Sequence, residues 1–270
     1  MDRILVTGTT GNVGTMVLPA LREIAATVAV TSIGRDAGVC DVLWSPGDPV
    51  PQGLRADCVI ALWGVTPGPD KDLMDNVKLA ASAQSLAQQV SATRVLHCSS
   101  AAVYRPSTDP ATEATPVDPQ NDYGRAKVAM EEAVAKMPGH HCCLRIGNVA
   151  GADSLFAAIK RGASLTLDQF ENGHGPERSY IAPTDLARVL AHLATMPAAL
   201  PPVLNVAAPK ATAMQAIADA AGRTVHWRPA PNGANQIVGF DTTLLQSICP
   251  LPENSTDADW LVQDWRKREI

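Results

Sequence analysis

Ile4-Leu5-Val6 runs without a break into Thr7-Gly8-Thr9-Thr10-Gly11-Asn12-Val13-Gly14, and this junction constrains the fold more than any other stretch. The apolar triplet reads as a short buried strand, and a helix follows the glycines to about Ile24. Each glycine has a mechanical duty. Gly8 permits the tight turn, Gly11 lets the backbone approach a pyrophosphate, and Gly14 lets the helix pack closely on the sheet. The helix start offers free N–H groups and a positive dipole end to phosphates. The spacing is G-x-x-G-x-x-G rather than the standard G-x-G-x-x-G, but strand, turn and helix come in the required order. The junction therefore predicts dinucleotide binding, with Gly8, Thr10, Gly11, Asn12 and Val13 as contacts. Pro19 lies inside the helix, where it should kink it or loosen its second turn.

Downstream, strands and helices alternate. Thr27–Thr31, Cys40–Trp44, Asp57–Leu62, Arg94–Cys98 and Cys142–Ile146 read as strands, and the alanine-rich stretch Asp70–Gln89 reads as a helix. The alternation argues for βαβ units and an α/β, doubly wound parallel sheet of Rossmann type. Cofactor choice is made at the end of the second strand, where a carboxylate would bind a ribose 2′-OH. Here the chain offers Ser32 and then Ile33-Gly34-Arg35-Asp36. No carboxylate at the strand end and an arginine nearby favour NADP slightly over NAD, while Asp36 serves NAD if the register shifts. Beyond Ile146 the pattern weakens. Helices are expected at Leu155–Arg161, Thr184–Thr195, Thr212–Ala221 and Asp257–Arg268, and short strands at Leu165–Leu167 and Val203–Val206. The one plausible boundary, near Gly147 to Gly151, divides a dinucleotide-binding domain (1–150) from a small mixed α/β substrate-binding region (151–270).

The fifth strand delivers Ser99-Ser100, and a Pro-rich loop leads to Asp122-Tyr123-Gly124-Arg125-Ala126-Lys127. On a helix Tyr123 and Lys127 are i and i+4, so phenol and ammonium share one face. A free phenol, with a pKa of about 10, is a poor acid or base at neutral pH. A neighbouring cation favours the phenolate and lowers that value. Ser100 at a strand end could hydrogen-bond the same substrate oxygen. Together the three suit proton transfer at a carbinol oxygen.

These residues resemble the extended short-chain dehydrogenase/reductase superfamily, of the NAD(P)-dependent epimerase/dehydratase kind. The likeness is distributed over nearly the whole chain. It includes the glycine turn, Asp57–Leu62 as the fourth strand, Asp75-Asn76-Val77, Ser99-Ser100-Ala101-Ala102-Val103-Tyr104, Tyr123-x-x-x-Lys127, Leu144–Asn148 and Arg178-Ser179-Tyr180-Ile181. It implies that Ser100, Tyr123 and Lys127 are catalytic, with Asn76 in support. Arg35, Asp41, Leu62, Trp63, Gly64, Asn76, Tyr123 and Lys127 would join the turn around the cofactor. Asp48 competes with Asp41 for the adenine. Ser100, Asn148 and Arg178 would touch substrate. The chain also departs from the family pattern. Arg105 follows Val-Tyr where glycine is frequent, Trp63 replaces a small residue, and Ala101-Ala102 stands where dehydratases carry an Asp-Glu pair. Only 29 residues separate Asn148 from Arg178, a short span for holding a nucleotide base.

The implied function is an NAD(P)-dependent oxidoreductase that moves hydride at a carbinol or carbonyl carbon of a sugar or sugar-derived substrate. Alternatives are a nucleotide-sugar epimerase with retained NAD and a non-catalytic NADP(H)-sensing protein. Retention of Ser100, Tyr123 and Lys127 together argues against the sensor. A net charge of -5 gives no basic footprint for nucleic acid. No apolar run approaches the roughly 20 residues that cross a bilayer, and Met1-Asp2-Arg3 leaves no room for a signal peptide, so a cytoplasmic protein is expected. Six cysteines without a C-x-x-C read as small buried hydrophobes rather than metal ligands. Ala80, Ala81, Ala83 and Ala87 could give their helix a flat surface, and the resemblance implies a homodimer through this helix and the one bearing Tyr123.

Overall fold

The computed structural model describes residues 2–24, 28–162 and 164–269. In chain order it contains β1 (Arg3–Thr7), α1 (Asn12–Ile24), β2 (Ala29–Gly34), β3 (Val42–Leu43), β4 (Cys58–Ala61), α2 (Asp75–Gln89) and β5 (Arg94–Ser100). A 3-10 turn (Ala101–Val103) is followed by α3 (Asp122–Val134), β6 (His140–Ile146), β7 (Asn148–Val149), α4 (Ser154–Lys160), β8 (Leu165–Gln169), β9 (Glu177–Arg178) and β10 (Tyr180–Ile181). The chain continues through α5 (Pro183–Thr195), β11 (Val203–Val206), β12 (Thr212–Ala213), α6 (Met214–Ala220), β13 (Val225–Pro229), β14 (Ile237–Val238), α7 (Thr243–Ile248) and α8 (Ala258–Arg268). None of these helices is long and apolar enough to cross a membrane.

Seven strands form one sheet in the order β11-β6-β5-β4-β1-β2-β3. The pairings from β3 through β2, β1 and β4 to β5 are parallel. Strand order reverses between β1 and β4, so the crevice outside their carboxyl ends is the switch point where open α/β sheets bind ligands. The β4 run is buried on both faces, as a central parallel strand requires. On one face Leu5, Ile33, Val59, Ala61 and Val95 pack with Ala83, Leu86, Ala87 and Val90.

The second strand lies further along than its β-branched residues suggest. Thr27 is outside the described residues, and the strand runs on to Gly34 because Ile33 and Gly34 pair with Val42 and Leu43 of β3. Helix α1 runs unbroken from Asn12 to Ile24 with Pro19 inside it. The connection from β3 to β4 carries no helix, and there Trp44 stacks on Trp63 at 6.1 Å between ring centroids. Ala80, Ala83 and Ala87 point inward and are buried. Their small size serves packing within the chain, and Ala81 alone of the four is exposed.

Two compact units are distinguishable, each assembled from separate stretches, where the sequence reading placed a single division. The first comprises Met1–Arg105, Pro116–Arg145 and Ala187–Leu204. The second comprises Pro106–Thr115, Ile146–Leu186 and Asn205–Ile270. In the second, β13 pairs in parallel with β8 over five residues, Val225↔Leu165 to Pro229↔Gln169. Its core holds Phe156 against Tyr180 and edge-on to Trp265, with centroids 6.1 and 5.1 Å apart.

Candidate active site

The first unit carries the glycine turn and the Ser-Tyr-Lys set. Gly8 has φ +73°, and a Cβ there would lie 2.2 Å from the Trp63 amide nitrogen. Only glycine lets the chain leaving β1 pass so close to the chain leaving β4. A Cβ on Gly11 would meet only the Gly8 carbonyl oxygen, at 3.4 Å, so its outer side is open. The first internal bond of α1 runs from the Thr15 N–H to the Gly11 carbonyl. Among the described residues the N–H groups of Asn12, Val13 and Gly14 have no acceptor. Open backbone space and unpaired helix-start donors fit a pyrophosphate. The indole Nε1 of Trp63 is likewise buried without a partner.

Beside β2, the Asp41 carboxylate is already engaged. It accepts from the Arg22 guanidinium at 2.5 Å, the Ser32 N–H at 2.7 Å and the Ser32 hydroxyl at 2.8 Å. Burial opposes its ionisation, but these bonds outweigh burial and lower its pKa. Asp36 accepts from the Gly38 N–H at 2.8 Å and Asp48 from the Ser45 N–H at 2.9 Å. Arg35 is exposed and makes no ion pair among the described residues.

Helix α3 starts where Asn121 accepts the Gly124 N–H at 2.8 Å, a side-chain N-cap. Tyr123 therefore sits in the first turn and Lys127 in the second. The Lys127 ammonium donates to the Cys98 carbonyl at 2.9 Å and lies 5.7 Å from the Tyr123 ring centroid. Ser100 ends β5, its hydroxyl accepting the Ala102 N–H at 3.2 Å, and it lies close enough to Tyr123 to favour the phenolate. The three residues are thus brought together.

The electrostatics differ from the expectation drawn from sequence. Burial raises the Tyr123 pKa above its ordinary value, and the opposing effect comes from the neighbouring Ser100 hydroxyl. Lys127, buried with 3% exposure, is directed at a carbonyl rather than at the phenol oxygen. Burial lowers its own pKa. Asn76 is occupied as a clamp. It accepts the Val65 N–H at 3.1 Å and donates to the Val65 and Leu73 carbonyls at 2.9 and 2.8 Å. This holds the loop after Leu62, Trp63 and Gly64. A Cβ on Gly64 would lie 3.2 Å from both the Asn76 carbonyl oxygen and the Lys127 nitrogen.

Behind the site lies a network that no short motif announces. Glu131 accepts from the Ser99 hydroxyl at 2.5 Å and from the Arg145 guanidinium at 2.7 Å. Arg145 also donates to the Tyr104 hydroxyl at 2.7 Å.

Asn148 and Arg178 belong to the second unit. The Asn148 amide donates to Asp153 at 2.9 Å, and the Tyr180 hydroxyl donates to the same oxygen at 2.6 Å. Asp153 also caps α4 by accepting the Phe156 N–H at 2.9 Å. Arg178 donates to the Glu177 and Gln236 carbonyls at 2.7 and 2.8 Å. Burial lowers its pKa, and it makes no ion pair with a carboxylate among the described residues. The part played by Asp153 has no short-range signature in the sequence.

A family model described as the NAD dependent epimerase/dehydratase family matches residues 4–207. A search of curated protein sequences finds no match. Among solved structures, MoeE5 in complex with UDP-glucose and NAD is 20% identical, with a TM-score of 0.76 and 99% of each chain covered. A UDP-N-acetylglucosamine 4-epimerase from Bacillus cereus is 17% identical, with a TM-score of 0.77 and both chains covered completely. TunA, an NAD dependent NDP-hexosamine 5,6-dehydratase of tunicamycin biosynthesis, is 20% identical, with a TM-score of 0.72 over 100% of this chain and 99% of its own. These likenesses extend the shared fold over the second unit, beyond the family model.

Proposed function

We infer the reaction from one premise: the chain belongs to the NAD-dependent epimerase/dehydratase family. We propose that it is an NAD(P)-dependent oxidoreductase acting at a carbinol or carbonyl carbon of a sugar or sugar-derived substrate. The observation that carries this reading is the convergence of Ser100 at the end of β5, Tyr123 on the first turn of α3 and the Lys127 ammonium 5.7 Å from the Tyr123 ring. Gly8, Gly11 and the start of α1 would hold the pyrophosphate, and Lys127 the nicotinamide ribose. A bound nicotinamide supplies hydride exchange.

The chain's own residues handle the proton. In oxidation Tyr123 takes the proton of the substrate hydroxyl, and in reduction it returns one to the carbonyl oxygen. Ser100 donates to the same oxygen, and Lys127 sets positive charge near the phenol. Asn148 and Arg178 are proposed as substrate contacts, with the Arg178 cation, which makes no ion pair among the described residues, suited to a carboxylate or phosphate. A homodimer is part of the proposal and is checked by sedimentation of the purified chain.

Ser100→Ala gives a direct check on the proton step. The Ser100 hydroxyl lowers the Tyr123 pKa against burial, so its loss leaves the phenol harder to ionise. The ascending, acid-side limb of the oxidation pH profile should move to higher pH, with a rate loss on the order of 10²-fold. An unmoved limb speaks against Tyr123 as the titrating group.

NADP is proposed over NAD because Arg35 is an exposed cation while Asp36, Asp41 and Asp48 are engaged locally. An Arg–phosphate contact is worth about 1.5–3 kcal/mol. Arg35→Ala should therefore weaken NADP binding by roughly tenfold or more and leave NAD binding unchanged, measured by fluorescence titration. The epimerase alternative differs in one observable: purified protein would carry bound NAD and turn over a nucleotide sugar with no added cofactor.

A further inference from the structure

We propose that Glu131 is a positioning residue for the hydride-transfer site, fixing the height of α3 over β5 and with it the placement of Tyr123 beside Ser100. The proposal deepens the oxidoreductase reading and rests on it for the reaction. Tyr123, Lys127 and Glu131 are i, i+4 and i+8 on α3 and so follow one face of the helix. Two ties join that face to β5. Lys127 donates to the Cys98 carbonyl at 2.9 Å, and one residue on, Ser99 donates to the Glu131 carboxylate at 2.5 Å. The next residue is Ser100.

The remaining partners also border catalytic positions. Arg145 on β6 holds Glu131 through Nε at 3.1 Å and through its terminal nitrogen at 2.7 Å. Its other arm reaches Tyr104, whose ring lies 4.8 Å from the guanidinium carbon. Tyr104 closes the 3-10 turn that Ser100 caps. One buried carboxylate thus links β5, β6, α3 and that turn, with Glu131 9% and Arg145 5% exposed. An ion pair this buried adds little net stability compared with apolar residues of similar volume, because desolvation offsets its attraction. What it supplies is direction: a charge on α3 that must be met at fixed angles by groups from β5 and β6. A displacement of about 1 Å at a reacting group can cost on the order of 10²-fold in rate, so a device that fixes this height acts on the chemistry.

The test needs a readout independent of substrate. The chain has three tyrosines, Tyr104, Tyr123 and Tyr180, so protein labelled with ¹³C at tyrosine Cζ gives three resonances, assigned by Tyr→Phe substitution. Ser99→Ala removes the Glu131 tie to β5 and leaves the Lys127–Cys98 bond and the Glu131–Arg145 pair in place. In dinucleotide-free protein it should shift the Tyr123 resonance and leave that of Tyr180 unchanged. Glu131→Gln, which keeps the volume, should shift Tyr123 as well and serves if Ser99→Ala does not fold. In turnover, Ser99→Ala should lose kcat on the order of 10- to 100-fold, with KM and dinucleotide Kd nearly unchanged and the melting curve intact. A stationary Tyr123 resonance in both variants, or a kcat loss wholly accompanied by a fallen melting temperature, overturns the proposal. Failure of the oxidoreductase reading looks different: the wild type transfers no hydride, while the Tyr123 resonance still decides the role of Glu131.

Discussion

Tyr123→Phe is expected to lose hydride transfer by about 10³-fold or more, within or beyond the usual 10²–10⁴ range for a positioned acid–base group, while binding dinucleotide within a few-fold of wild type. The substitution removes one oxygen and leaves the ring, so packing at the start of α3 persists. The Lys127 ammonium keeps a ring face 5.7 Å away and its bond to the Cys98 carbonyl, and Ser100 keeps the Ala102 N–H. The loss therefore falls on proton transfer alone. Single-turnover absorbance at the nicotinamide band measures the chemistry, and equilibrium titration measures binding. Turnover at the wild-type rate would remove Tyr123 from the mechanism. Equal loss of binding and turnover would make it a cofactor contact rather than an acid–base group.

The parts of this protein that were legible in sequence are those in which a few adjacent residues must do one thing. Gly8 can be read because a turn with positive φ and a close backbone pass excludes side chains. Tyr123 and Lys127 can be read because helical geometry joins residues four apart, and Ser100 because an apolar strand leads straight to it. The Glu131–Arg145–Ser99 network could not be read in the same way. Its members are 14 and 32 residues apart and meet only once β5, β6 and α3 are stacked. Short strands such as β9, β10 and β14 have two residues each, too few for any alternation to register. The alanines of α2 show a related ambiguity, since small residues suit a surface between chains and an interior equally well. Even the charge logic needed the fold. A lysine near a tyrosine lowers its pKa in isolation, but at this site burial of the phenol is the larger effect.

Gly14→Ala and Gly11→Ala separate two duties that the glycine turn combines. A Cβ on Gly14 would stand 2.2 Å from the Gly8 carbonyl oxygen and 2.7 Å from the Thr9 Cα. Both are backbone atoms that cannot swing aside, so the start of α1 must move away from the turn. Overpacking of this kind costs about 1–3 kcal/mol, and the displaced N–H groups no longer converge on one anion. Gly14→Ala should accordingly melt earlier and bind dinucleotide weaker by roughly 100-fold or more, since the pyrophosphate contact depends on that helix start. Gly11→Ala meets only the Gly8 carbonyl oxygen, at the ordinary contact distance of 3.4 Å. It should melt like the wild type and still lose binding, because its methyl group fills the space on the open side of the turn where a pyrophosphate would lie. Thermal melts and dinucleotide titrations of the two variants give a two-by-two result. Full binding by Gly11→Ala would move the phosphate site away from this turn, whatever Gly14→Ala does to stability.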